Sequence, residues 1–128
     1  MKQVTIDLIN IYKIKDVGML GGKVSKDNPY TFHHIVPVRE NGATTIENGA
    51  VLTKQKHEQF NKLERKYPEY GEEINYYLYT YRGNYPDEIK ERIDYLMSLV
   101  ENNSEEKSHK KQKNKQSNYK KHRKKFRR

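Results

Sequence analysis

The apolar positions change rhythm along this chain, and each change marks an element. In residues 1–20, Val4, Ile6, Leu8, Tyr12 and Ile14 share one parity, as in a strand, while Leu8, Ile11 and Tyr12 also fit a helical face; the pattern leaves both open. Gly21-Gly22 and Asp27-Asn28-Pro29 then punctuate the chain as loops. Tyr30 to Val36 is rich in β-branched and aromatic residues and predicts a strand that Pro37 ends. Asn41-Gly42 signals a turn, and Ala50-Val51-Leu52-Thr53 reads as a short second strand. From residue 54 to 67 the spacing becomes helical, with Phe60, Leu63 and Tyr67 as the apolar stripe, and Pro68 ends it. Ile74, Tyr77, Leu78 and Tyr81 predict a second helix, capped by Gly83. Pro86 suits the first turn of a last helix, with Asp87 and Glu88 favourable near its N-terminus and Ile89, Ile93, Leu96 and Val100 as its buried stripe. The predicted class is α+β, a short antiparallel hairpin followed by helices.

Past Asn102 there is no apolar period, which predicts a disordered tail over residues 103–128. Charge divides the chain at nearly the same place. Residues 1–106 hold 14 Lys or Arg against all 17 acidic residues, a net of −3; residues 107–128 hold 12 Lys or Arg and no acid, so the whole reaches +9. A basic arm with interspersed Asn, Gln and Ser suits a phosphate backbone, with Lys120, Lys121, Arg123, Lys124 and Lys125 as candidate contacts. With 128 residues, 33% hydrophobic content and a mean hydropathy of −1.21, one domain with a small core is expected. The chain has no cysteine, which excludes disulfides and a cysteine-ligated zinc. No signal-like leader or long apolar run is visible, so the expected location is cytoplasmic, away from membranes.

Histidine is scarce, yet three of the five copies fall between residues 33 and 57. His33-His34 sit on the first predicted strand. His57 and Asn61 lie four apart on the helix and project from one side of its stripe. A His-His pair on an extended segment, facing two neutral ligands on a helix, is a compact way to hold a divalent ion beside a general base. Successive strand residues point to opposite faces, so one of the pair should hold metal and the other work from another side. Among the tyrosines, Tyr76, Tyr77, Tyr79, Tyr81 and Tyr85 could stack on bases, but Tyr77 and Tyr81 at helical spacing read as core.

The order strand, turn, strand, helix, carrying His33, His34, Ile35, Pro37, Asn48, Leu52, His57 and Asn61, resembles the HNH endonuclease family and its ββα-metal finger. The resemblance covers about residues 30–66, with a helical buttress at 69–101 completing a domain over 1–102. It implies a metal-dependent endonuclease that hydrolyses phosphodiesters in DNA, by nicking or double-strand cleavage. It also implies that His33, His57 and Asn61 ligate one divalent ion, that His34 is the general base, and that Asn48 holds the finger closed so that His34 stays aimed. An imidazole, with an ordinary pKa near about 6.5, suits that base role. Arg39, Lys54 and Lys56 are candidate phosphate contacts. Two departures stand out: the chain lacks the paired zinc knuckles of many members, and Asn61 replaces a third histidine found in several. An amide oxygen tilts the expected ion toward Mg²⁺ or Mn²⁺, with Zn²⁺ or Ni²⁺ compatible. DNA is expected ahead of RNA, and two fingers for a double-strand cut would require a homodimer or successive nicks. The competing readings are a non-catalytic nucleic-acid-binding protein and an accessory subunit of a phage packaging or recombination machine.

Overall fold

The computed structural model describes residues 1–100; the expectations for the basic tail lie outside the described residues. The described part is α+β. It runs α1 (Gln3–Ile11), β1 (Tyr30–His34), β2 (Gly49–Thr53), α2 (Lys54–Lys66), α3 (Pro68–Tyr81) and α4 (Asp87–Met97), with one 3-10 turn at Val38–Glu40. The sheet is a two-stranded antiparallel pair in which Thr31 faces Leu52, His33 faces Ala50 and His34 faces Gly49.

Two strands cannot stand alone in water, so both faces of the hairpin are covered. On one side lies α1, whose buried Leu8 reaches the sheet at Gly49. A Cβ on Gly49 would fall 2.5 Å from the Phe32 ring and 2.9 Å from Leu8, so glycine there lets ring and helix close on the strand. On the other side Phe60 and Leu63 of α2 join Leu52, Ile74, Leu78, Ile93 and Leu96 in one core. The N-terminal segment is therefore helical, not a strand. A two-stranded sheet with α2 on one face needs cover on the other, and once coiled the segment supplies it through buried Thr5 and Leu8, with partly buried Tyr12 at its end, while Ile11 stays exposed.

Several boundaries differ from expectation for local reasons. β1 stops at His34, two residues early, because Asn48 takes over the backbone groups of Ile35 and Val36. The N-cap of α2 is Thr53 by position, but its hydroxyl makes no cap bond. Asn28 accepts from the Gln55 amide instead, at 2.8 Å, and is itself held by donating to the Lys23 carbonyl at 3.0 Å. Tyr67 belongs to the junction rather than to α2, and Pro68 then opens α3 at a position where its missing N–H costs nothing. Arg82, not Gly83, is the left-handed residue that ends α3, with Gly83 also at positive φ behind it. Pro86 precedes α4 instead of lying within it.

A buried ion pair joins α3 to α4: Arg92 donates Nε to Glu73 Oε2 at 2.8 Å and Nη2 to Oε1 at 3.1 Å, and the Tyr77 hydroxyl donates to Glu73 at 2.6 Å. Paired in this way, the Glu73 carboxylate can stay in the interior. The end of α4 is tied to α2 by the Gln59 amide, which donates to the carbonyls of Met97 and Val100. Among the described residues no helix is long and apolar enough to cross a membrane.

Candidate functional site

The strand alternation separates the two neighbouring histidines. Thr31 and His33 point toward α2, while Phe32 and His34 point to the other face, where their rings meet edge to face at 4.8 Å. His57 rises from the first turns of α2 to meet His33, with ring centres 5.2 Å apart and planes at 87°. That is ordinary edge-to-face ring packing, and it also matches the roughly 5 Å between the ring centres of two imidazoles on one ion at about 2.1 Å.

The hydrogen-bond partners decide which nitrogens are available. Thr31 Oγ1 lies 2.8 Å from the Leu52 carbonyl and 2.7 Å from His57 Nδ1. A hydroxyl has one proton, and a carbonyl only accepts, so that proton goes to Leu52. Toward His57 the Thr31 oxygen must accept, and Nδ1 therefore carries the ring proton. The Nε2 lone pair of His57 is left bare, which is the state a metal ligand needs. On the other imidazole, Asn75 of α3 places Oδ1 2.7 Å from His33 Nε2.

Burial reinforces this chemistry. His33 is 6% exposed, wedged against Phe60 at 4.8 Å between ring centres. Desolvation pulls its pKa down to about 4, only partly opposed by the Asn75 bond, so it is neutral at pH 7. Burial also lowers the pKa of His57. Both are thus uncharged imidazoles, able to offer lone pairs.

His34 is half-exposed, with Nε2 2.8 Å from Thr44 Oγ1 in the loop between the strands. That loop is fixed by Asn48. Its Oδ1 accepts from the Val36 amide at 2.7 Å, and its Nδ2 donates to the carbonyls of Val36 at 3.0 Å and Ala43 at 2.8 Å. Its own carbonyl accepts from the Ile35 amide at 2.9 Å. One amide side chain thus closes the connection directly after His34. Gly42 makes this possible, since a Cβ there would lie 1.6 Å from the Val36 oxygen. Arg82 braces the same loop from α3: its guanidinium donates to the Gly49 carbonyl at 2.6 Å and to the Glu47 carbonyl at 2.5 Å, one on each side of Asn48.

The candidates divide accordingly. His33 and His57 come together, His34 stands on the opposite face with its own partner, and Asn48 is the loop clamp. Asn61 lies one turn beyond His57 on α2, exposed. Among the described residues no three His, Asp or Glu side chains form a metal-holding group, so a metal here would rest on two imidazoles, an amide oxygen and outside ligands. Lys54 and Lys56 occupy the same first turn as His57. Arg39 is exposed and approaches Glu64 only loosely, at 3.9 Å. The tail residues Lys120, Lys121, Arg123, Lys124 and Lys125 lie outside the described residues. A groove of about 860 Å³ runs beside the site and touches it at Asn48 and Asn75. Its charged lining is Glu40, Glu47, Glu64 and Glu72 against Arg39 and Arg65, an acidic balance unlike a phosphate channel.

Four residues with a part in this geometry were not singled out by the sequence pattern: Thr31, Thr44, Asn75 and Arg82. Thr31 had a signal, because it lies two residues before His33 and so shares its face. The others act through tertiary contacts that no local spacing reveals. No family model matches the chain, and no curated protein and no solved structure is significantly similar to it.

Proposed function

We propose that the protein is a metal-dependent endonuclease of the HNH type, hydrolysing phosphodiester bonds in DNA. The observation that carries this reading is the Thr31–His57 bond: with the ring proton on Nδ1, His57 keeps an unprotonated Nε2 on a ring whose centre lies 5.2 Å from that of His33.

His33 and His57 would hold the divalent ion, with Asn61, one turn on along α2, as the candidate to add an amide oxygen. The mixed nitrogen and oxygen set suits Mn²⁺, Zn²⁺ or Ni²⁺ at least as well as Mg²⁺. When bound, the ion supplies Lewis-acid stabilisation to the phosphate on which charge develops. The remaining chemistry belongs to the chain. His34 uses Thr44 to hold Nε2 and turns Nδ1 to a water, removing its proton as the water oxygen attacks phosphorus and the bond to the leaving 3′ oxygen breaks. Asn48 and Arg82 keep the loop, and with it His34, from drifting. Lys54 and Lys56 on the first turn of α2 would meet the flanking phosphates, and the basic tail would add sequence-independent affinity.

The test is nicking of supercoiled plasmid with Mg²⁺ or Mn²⁺, by wild type and by His34→Ala. Loss of nicking with retained DNA binding is expected, a fall of about 10²–10⁴-fold for a removed general base. Equal cutting by His34→Ala would refute the role of His34. A wild type that binds DNA but never cuts, with any of these ions, would make the fold a non-catalytic nucleic-acid-binding module.

A further inference from the structure

The hairpin and α2 are not self-sufficient as a metal centre, because the second imidazole takes its orientation from a helix outside them. Asn75 lies on α3, beside the fully buried Ile74, and reaches across to His33 with Oδ1 2.7 Å from Nε2. An amide oxygen only accepts, so Nε2 of His33 carries the proton and Nδ1 keeps its lone pair. This repeats, with different chemistry, what Thr31 does for His57. Each imidazole is pinned at one nitrogen by a neutral acceptor, and each is left with one bare nitrogen.

We propose that Asn75 is a positioning residue of the metal centre: it fixes the His33 ring and tautomer from α3, and Thr31 and Asn75 together form the outer shell for the two histidine ligands. The proposal deepens the nuclease reading and rests on it for the ion itself. It has a structural consequence. Because Asn75 also lines the acidic groove between the Ile35–Asn48 loop and α3, a molecule in that groove that reaches Asn75 would touch the partner of a proposed metal ligand. A neutral acceptor suits His33 in particular. An amide oxygen orients the ring without adding a buried charge beside it.

Two measurements on the full chain test this, and neither is an activity. Long-range ¹H–¹⁵N correlation of the imidazoles in metal-free protein reads each tautomer. Titration calorimetry with Mn²⁺ reads affinity. Wild type should show Nε2–H at His33 and Nδ1–H at His57. In Asn75→Leu the His33 signal should become a mixture, that of His57 should stay unchanged, and Mn²⁺ affinity should fall by about 10–100-fold. Asn75→Asp restores an acceptor and should recover Mn²⁺ affinity to within a few fold of wild type. An unchanged His33 tautomer with unchanged Mn²⁺ affinity in Asn75→Leu overturns the proposal, as does an Nδ1–H tautomer at His33 in wild type, which needs no variant to fold. If wild type binds no divalent ion while the tautomers follow this pattern, the metal reading fails and the orienting role of Asn75 on His33 stands; the two failures are thereby separated.

Discussion

Acid should unfold the metal-free protein earlier than its carboxylates alone would require, and His33 supplies the reason. In the folded chain its pKa lies at about 4, held down first by burial; unfolded, it returns to about 6.5. Between those values the unfolded chain binds a proton that the folded chain refuses, so stability rises with pH across the window. The contribution is complete above pH 6.5, is lost as pH falls, and is gone by about pH 4. The full shift is worth about 3 kcal/mol, and about 2 kcal/mol of it disappears between pH 7.5 and pH 5, where most carboxylates are still ionised. Against a typical domain stability of about 5–15 kcal/mol that is a large share. The lowered pKa of His57 acts with the same sign. Urea unfolding of EDTA-treated protein at pH 7.5, 6 and 5, with His33→Gln beside the wild type, isolates the His33 part. Wild type should lose about 2 kcal/mol more than the variant over this range. Equal pH dependence in the two proteins would refute the argument, for it would mean that burial does not keep His33 neutral.

Further outcomes follow from the contacts around the site. Thr31→Val keeps the shape and removes the acceptor for His57 Nδ1, so Mn²⁺ affinity measured by calorimetry should drop about 10–100-fold, while Thr31→Ser should stay near wild type. Gly42→Ala puts a methyl where the Val36 carbonyl stands, so the loop must open; amide exchange at Ile35 and Val36 should speed up and nicking should fall, and a variant that melts and cuts like wild type would contradict the close approach. Arg82→Lys keeps the charge but replaces the two guanidinium nitrogens that reach the Glu47 and Gly49 carbonyls by a single ammonium, and the nicking rate should fall about tenfold or more with Mn²⁺ affinity unchanged. Removing residues 107–128 takes away 12 cations, and gel-shift titrations should then show weaker DNA binding with a much shallower dependence on salt.

The elements from Tyr30 onward were legible because each rests on a local rule. The hairpin strands are β-branched and aromatic, α2 carries a clear apolar stripe, and prolines at 68 and 86 stand at the two later helix starts. Residues 1–20 were not legible, since an apolar position two or four residues from another serves either period until something is known of the surface it must cover. Only the exposed face of a two-stranded sheet decided for the helix. The separation of His33 from His34 was readable from strand alternation, whereas the choice of His33 as the one to meet the helical His57 came only from the family resemblance. Asn61 was readable as a position on α2, one turn past His57, but sequence spacing could not say how much of the site it completes.

What sequence spacing could not supply is the orientation of the rings, and orientation is what separates a metal ligand from a packed histidine. His33 and His57 would look the same in a list of residues whether their bare nitrogens faced an ion or a carbonyl. The difference lies in a hydroxyl that has already given its proton to Leu52 and in an amide from a helix 42 residues further along. These partners are ordinary residues in ordinary elements, without a motif of their own. They matter because an imidazole has two nitrogens and one proton, so fixing one nitrogen fixes the other. The same logic extends to the loop: Asn48 carries the recognisable spacing, yet its three side-chain bonds persist only because Gly42 leaves room and Arg82 holds the carbonyls on either side. A chain could therefore keep His33, His34, Asn48 and His57 and still lose the site through Thr31, Asn75 or Arg82, and variants at those three positions separate a working centre from a retained scaffold more sharply than replacing the histidines themselves.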